Sequence, residues 1–285
     1  MNLGLIGLGL VGNALVKRFT AAGYYVIAFD IDPEACKRAT QAGATVVADA
    51  RDVGRQCPII VLSLPDSTAR SRLLWNDQRL ADELSAGTVI LDTTTGSPKD
   101  TLNDGEKLSK QDVRLIDVSI VGSSAEVAAG QAIALAGDTA EQADYEAIML
   151  AFARRVFFLG RPGAGNHAKL VVNLVLGLNR LVLAEGLGLA GKAGLDRNQM
   201  LGILRSSGAY SRVMDTKGER MIRGDFEPVA RLRQHAKDVD LILNLARQVN
   251  ARTPVSELHA RLLEKTIEAG WGDLDNAAIY KLFEI

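Results

Sequence analysis

The chain has 285 residues, 47% of them hydrophobic, and a formal net charge of −1 from 33 basic and 34 acidic side chains. That length exceeds the common size of one hydrophobic core and points to two domains. Intermixed charge close to neutrality leaves no broad electrostatic footprint for nucleic acid or an anionic membrane, so the expected partner is a small molecule.

The first element is a short apolar run, residues 3–6, followed at once by Gly7-Leu8-Gly9-Leu10-Val11-Gly12 and a helical pattern. This is the dinucleotide fingerprint in its required strand–turn–helix setting. Gly7 permits the tight turn, Gly9 lets backbone approach a pyrophosphate, and Gly12 lets helix and strand pack closely. The helix N–H groups are thereby aimed at the phosphates. A second strand, 26–29, ends in Asp30, near the spacing of roughly 20 residues at which a carboxylate grips the adenosine ribose. Asp30-Ile31-Asp32 repels a 2′-phosphate and accepts hydrogen bonds from a free diol, so NAD is expected in preference to NADP. Lys37 and Arg38 read as a solvated helix face. No basic n-region precedes the fingerprint strand, so the expected location is cytoplasmic. Cys36 and Cys57 lack metal-type or catalytic spacing and read as packing residues in a reducing compartment.

Further strands are predicted at 45–47, 59–64, 88–91, 115–118, 133–136 and 156–158, mostly separated by crossover-length segments. The fold class is therefore α/β, a Rossmann-type doubly wound and mostly parallel sheet. Gly160-Arg161-Pro162-Gly163 punctuates a switch to an all-helical remainder, dividing the chain into 1–161 for the dinucleotide and 162–285 for substrate and assembly.

The helical half opens with residues 166–192, rich in Leu, Val and Ala. Asn173, Asn179, Arg180 and Glu185 interrupt it at depths a bilayer disfavours, so a buried central helix, apolar on nearly all sides, is expected rather than a membrane span. Gly177, Ala184, Gly186, Gly188, Ala190 and Gly191 allow close helix approach, and a homodimer or homotetramer is expected. Within Gly163-Ala164-Gly165-Asn166-His167-Ala168-Lys169, Lys169 shares a helix face with Asn173 four residues on. A lysine desolvated beside an oxidised nicotinamide can exchange a proton with a substrate hydroxyl while an asparagine amide fixes the oxygen.

At these residues the chain resembles the β-hydroxyacid dehydrogenase family, of the 3-hydroxyisobutyrate dehydrogenase and tartronate semialdehyde reductase type. The resemblance runs from the glycine turn through the 163–173 motif to Lys237-Asp238 and the tail Gly270-Trp271-Gly272-Asp273-Leu274-Asp275. It implies that Lys169 is the general acid/base and that Asn173 holds substrate. It also implies that Thr95, in Asp92-Thr93-Thr94-Thr95-Gly96-Ser97-Pro98, lies near the nicotinamide ribose, and that Leu64-Pro65-Asp66 lines the cofactor. Lys237 is implied to reach toward cofactor and substrate.

Asp117-Val118-Ser119-Ile120-Val121-Gly122-Ser123-Ser124 departs from the family run Asp-Ala-Pro-Val-Ser-Gly-Gly. Val121 replaces the carboxylate-binding serine, and Val172 replaces the first asparagine of an Asn-Asn pair. Gly122, Ser123 and Ser124 are expected to receive the anionic end of a small substrate through backbone N–H groups and hydroxyls. His167 points to another helix face, His235 approaches the Lys237 region, and His259 is expected at the surface. Tyr210, Ser206 and Ser207 fall in a polar turn without individual roles. No metal site is expected.

The expected activity is hydride transfer between NAD(H) and a 3-hydroxy acid/semialdehyde pair. Three alternatives remain: a 6-phosphogluconate dehydrogenase-like enzyme, an imine reductase-like enzyme, and a non-catalytic NAD-responsive regulatory protein.

Overall fold

A computed structural model describes residues 1–139 and 143–284 as two compact units, Met1–Lys169 and Leu170–Ile285. In the first unit, strand and helix alternate: β1 (Asn2–Ile6), α1 (Leu10–Ala21), β2 (Tyr25–Phe29), α2 (Pro33–Gln41), β3 (Thr45–Val46), α3 (Ala50–Gln56), β4 (Ile59–Leu62), α4 (Ser67–Ser71) and β5 (Val89–Asp92). Then come α5 (Pro98–Ser109), β6 (Arg114–Val121), α6 (Ser124–Ala128), β7 (Ala132–Ala136), α7 (Ala143–Phe152) and β8 (Ala153–Phe158). All the strands join one sheet in the order β3-β2-β1-β4-β5-β6-β7-β8.

Pairing is parallel except between β6 and β7, where Val118 to Val121 run antiparallel against Ala136 to Ile133. That pairing extends β6 to Val121, three residues past the expected end at 118. Alternating side chains divide the core between the two sheet faces. Leu3, Leu5, Val61 and Ile116 pack with Phe19 and Phe152, whose rings meet edge to face at 6.1 Å. Ile6, Ile60, Leu62 and Ile90 form the opposite cluster with Leu73, Leu74 and Leu80. Truncating a fully buried ring such as Phe19 to alanine costs about 3–5 kcal/mol.

α8 (Ala164–Lys192) runs without interruption past the division between the units, its first turns being hydrogen-bonded to β6. The second unit continues with α9 (Arg197–Arg205), α10 (Glu219–Arg223), α11 (Leu232–Gln248), α12 (Pro254–Thr266) and α13 (Lys281–Glu284). Among its described residues there is no strand, only an isolated bridge between Arg231 and Asp275. Leu183, Leu187, Leu201, Met221, Leu232, Val239 and Ile279 form its core. Asp275 is buried there, paired with Lys217 at 2.6 Å and Arg220 at 3.4 Å, which gives the tail motif a structural role.

α8 departs from the expected all-round burial. Leu170, Leu181, Leu183 and Leu187 are buried, whereas Val171, Val175, Leu176, Val182 and Leu189 are exposed. Composition alone does not distinguish an apolar face that packs from one that stays on the surface.

Candidate active site

The glycine turn is shaped by what each glycine would touch if it carried a Cβ. A Cβ on Gly7, whose φ is 96°, would strike the Ser63 carbonyl, and one on Gly12 would strike the Gly7 carbonyl. On Gly9 a Cβ would meet nothing within 4 Å. Gly7 and Gly12 are thus required by packing, while Gly9 opens onto free space at the N-terminus of α1, as a backbone cradle for pyrophosphate needs. Leu10 and Val11 follow as the first residues of that helix.

Asp30 sits at the end of β2 as expected. Its Oδ2 accepts from the Leu8 amide at 2.5 Å and its Oδ1 from the Asp32 amide at 2.8 Å. A carboxylate offers about four acceptor sites, so capacity for a ribose diol remains. Asp32 caps α2 through the Glu34 amide, Lys37 pairs with Glu34 at 2.6 Å, and Arg38 faces Asp32 at 3.9 Å. Ile31, between the two acids, is 84% exposed.

The residues after β4 and β5 are bound to each other. The Leu64 amide donates to Thr94 Oγ1 at 3.4 Å, and the Ser97 amide donates to Ser67 Oγ at 2.9 Å. Pro65 precedes Asp66, whose carboxylate caps α4 at the Ala69 amide. Thr93 and Thr94 are buried and Thr95 half-buried, so Thr95 is the more accessible of the three threonines.

β6 holds the start of α8 through four hydrogen bonds from three of its residues. The Asp117 carboxylate accepts from the Gly163 and Asn166 amides, each at 2.8 Å. Ser119 Oγ donates to Asn166 Oδ1 at 3.2 Å, and Lys169 Nζ donates to the Ile120 carbonyl at 2.7 Å. Residues 163, 166 and 169 recur at the helical interval of three, and β6 presents the matching acceptors and hydroxyl. A Cβ on Gly165 would strike the Leu135 carbonyl and the Asp117 carboxylate, so this glycine permits the approach. Burial pushes Asp117 up to about 6, against the pull of the two amides.

One turn beyond Lys169, Asn173 is buried, and its Nδ2 donates to Asp238 Oδ2 at 3.1 Å. Lys237, beside Asp238 on α11, is half-buried. Sequence reasoning used the Lys237-Asp238 pair as a motif but gave Asp238 no role. Arg180, two turns further along α8, is buried with Nε and Nη1 unpartnered, and burial lowers it to about 10.

Ser123 does not stand as a free donor. Its amide donates to Glu126 Oε2 at 2.8 Å, its hydroxyl lies 3.1 Å from the same oxygen, and the Glu126 amide donates to Ser123 Oγ at 3.2 Å. This is a capping box at the start of α6. Gly122 is exposed, with φ 146°, and Ser124 is half-buried. The expected trio thus sits together, with one member committed and a carboxylate added.

Of the three histidines, His167 lies within the start of α8, and His235 and His259 lie on α11 and α12. His259, expected at the surface, is buried against His235, their ring centroids 5.2 Å apart. Burial, then the nearby Arg180, pushes His259 down to about 4 and His235 well below its ordinary value. His167 is half-buried with Nδ1 unpartnered. Among the described residues, no group of three or more His, Cys, Asp or Glu side chains is placed to hold a metal ion.

Known proteins match this arrangement along its length. Residues 2–160 match the NAD binding domain of 6-phosphogluconate dehydrogenase, and residues 163–283 match the NAD-binding model of NADP-dependent 3-hydroxyisobutyrate dehydrogenase. The chain is 25% identical to L-threonate dehydrogenase of Cupriavidus necator, covering 99% of this chain and 96% of that one. It is 27% identical to glyoxylate/succinic semialdehyde reductase 1 of Arabidopsis thaliana, covering 98% and 97%. The solved structure of 3-hydroxyisobutyrate dehydrogenase from Salmonella typhimurium shares the fold with a TM-score of 0.90 at 22% identity, covering 99% of each chain. With its glycine turn, Asp30 and the sheet-anchored start of α8 in place, the chain belongs to the β-hydroxyacid dehydrogenase family of NAD(P)-dependent oxidoreductases.

Proposed function

We propose that the protein is an NAD-preferring dehydrogenase that interconverts a small 3-hydroxy acid and its semialdehyde or 3-oxo acid, with Lys169 as the proton-transfer group. The observation that carries this reading is Lys169 Nζ held at the Ile120 carbonyl, on the helix face that also bears Asn173 one turn later.

The open space at Gly9, the first-turn amides of α1 and the Asp30 carboxylate suit a dinucleotide whose ribose carries no phosphate. Leu64, Pro65 and Thr95 supply the remaining lining on this reading, and Lys237 reaches toward cofactor and substrate; Leu8, expected beside the cofactor, is instead fully buried in the core with its amide bonded to Asp30. A nicotinamide bound there supplies or accepts the hydride. In oxidation, Lys169 Nζ takes the hydroxyl proton as the carbinol carbon loses its hydride; in reduction it returns the proton to the carbonyl oxygen. Asn173, fixed by Asp238, holds that oxygen. Exposed apolar residues on α8 support self-association as a homodimer or homotetramer.

The identity of the substrate depends on the run from Val121 to Ser124. Gly122 and Ser124 are the candidates for an anionic end. Glu126, bonded to Ser123, supports a second reading in which the substrate group at that end is uncharged.

The test is NADH oxidation over a panel of small semialdehydes and neutral aldehydes, with NADPH in parallel and Lys169→Ala as control. Lys169-dependent turnover with NADH preference supports the assignment. Turnover that survives Lys169→Ala, or nucleotide binding without turnover on any substrate, overturns it.

A further inference from the structure

The Thr101 hydroxyl, buried near the start of α5, is used to its full capacity. Oγ1 donates to the Ser97 carbonyl at 3.2 Å and accepts from Arg70 Nη1 and from Asn166 Nδ2, each at 3.1 Å. A hydroxyl has one donor and two acceptor sites, and all three are occupied. The partners stand on three separate segments. Arg70 lies on α4, directly after the Leu64-Pro65-Asp66 turn. Ser97 closes the run after β5 that contains Thr95. Asn166 is in the first turn of α8, three residues before Lys169.

Each arm is anchored again beyond the hub. Arg70 is fully buried and also bonds Asp92 at 2.5 Å and Asp104 at 2.9 Å. Asn166 is held from its other side by Ser119 and Asp117. Valine has nearly the shape of threonine and would fill the same volume, so packing alone does not call for a hydroxyl here. Its distinctive contribution is directional: from α5, whose own cap is Ser97, it holds α4 and α8 at fixed hydrogen-bond distances in a buried environment.

We propose that Thr101 is a positioning residue of the reaction, its hydroxyl fixing the start of α8, and with it Lys169, against the two turns that carry Leu64, Pro65 and Thr95. The proposal rests on the Lys169 reading above. A shift of a reacting group by about 1 Å costs up to about a hundredfold in rate, so a hub that sets this spacing acts on turnover rather than on cofactor affinity.

The experiment compares Thr101→Val and Thr101→Ser with the wild type in steady-state kinetics, NADH binding, thermal melting and the pH profile of kcat, with Lys169→Ala alongside. In Thr101→Val, kcat is expected to fall about tenfold to a hundredfold and its pH profile to move, while the KM for NADH stays within about twofold. Thr101→Ser, which keeps the hydroxyl, is expected to restore both kcat and the profile. A Lys169-dependent enzyme in which Thr101→Val lowers the melting temperature but leaves kcat and its pH profile unchanged overturns the proposal alone. Undiminished turnover in Lys169→Ala overturns the Lys169 reading and the proposal with it. If Thr101→Val does not fold, Asn166→Ala removes the arm that reaches α8 together with the Ser119 bond, and Ser119→Ala, which removes that second bond alone, is its control; both are read by the same measurements.

Discussion

Lys169 is tied to Ile120 by a 2.7 Å hydrogen bond from Nζ to the backbone carbonyl. Because the acceptor is a main-chain atom of β6, no side-chain substitution at 120 deletes it, and the path of the strand sets where the amine stands. Lys169→Arg retains charge and donors but cannot release a proton near neutral pH. Its turnover is expected to drop by about two to four orders of magnitude, as far as Lys169→Ala, with NADH binding retained. Stopped-flow kinetics and NADH fluorescence titration check both halves of this expectation.

Asp30 joins the end of β2 to the glycine turn through the Leu8 amide. In Asp30→Ala the proposed ribose acceptor and this brace are lost together. The KM for NADH is expected to rise about tenfold or more, the equivalent of one to two hydrogen bonds to a charged group. The KM for NADPH, whose phosphate no longer meets the carboxylate, is expected to rise less or to fall. Parallel titrations with the two nucleotides measure the change in preference.

Glu126 puts a negative charge beside Ser123. Glu126→Gln keeps the length and an acceptor for the cap but removes the charge. The KM for anionic substrates is expected to fall by about threefold to tenfold, with little change for neutral aldehydes, the scale of one partly screened charge. An equal effect on both substrate classes would show that the carboxylate acts only as a cap.

Asp117 holds its proton more tightly folded than unfolded, at about 6 against an ordinary 3.8. Between those values the unfolded chain is ionised first, so this group's contribution to stability is greatest below pH 4 and is lost as pH rises to 6. The full difference is about 3 kcal/mol. Urea unfolding of the wild type and Asp117→Asn at pH 4, 5, 6 and 7 isolates it. The wild type is expected to lose stability relative to the variant across that window.

His259 titrates in the opposite sense. Its folded value, about 4, lies below the ordinary 6.5, so its contribution is present above pH 6.5 and is lost as pH falls toward 4, by about 3 kcal/mol. Acid is therefore expected to loosen the helical unit while relieving Asp117 in the sheet unit. Hydrogen exchange at pH 7 and pH 5 in the wild type and in His259→Phe follows each unit separately. Equal acid sensitivity in both proteins would remove His259 as the cause.

Much of the fold was readable because its signals are local. Each predicted strand is an apolar run bounded by turn residues, and Gly7, Gly12 and Asp30 act within one strand–turn–helix unit. The capping box is also encoded locally, in the three-residue spacing of Ser123 and Glu126, although Ser123 was expected to serve substrate alone. His259 was misplaced because the buried face of α12 is Ser256, His259, Leu263 and Thr266, a stripe too polar to register as core. The Thr101 hub was out of reach, since its partners Arg70 and Asn166 are 31 and 65 residues away.

The unbroken course of α8 also bears on how this site tolerates insertions. The offset between Lys169 and Asn173 is set by helical pitch alone, so one extra residue between them swings the asparagine about 100° around the axis. A length change in this stretch rotates every residue beyond it at once, which a substitution does not. Four hydrogen bonds from residues 163–169 to β6 residues 117–120 pin the start of that stretch to the sheet, so an inserted residue cannot be absorbed by slippage at that end.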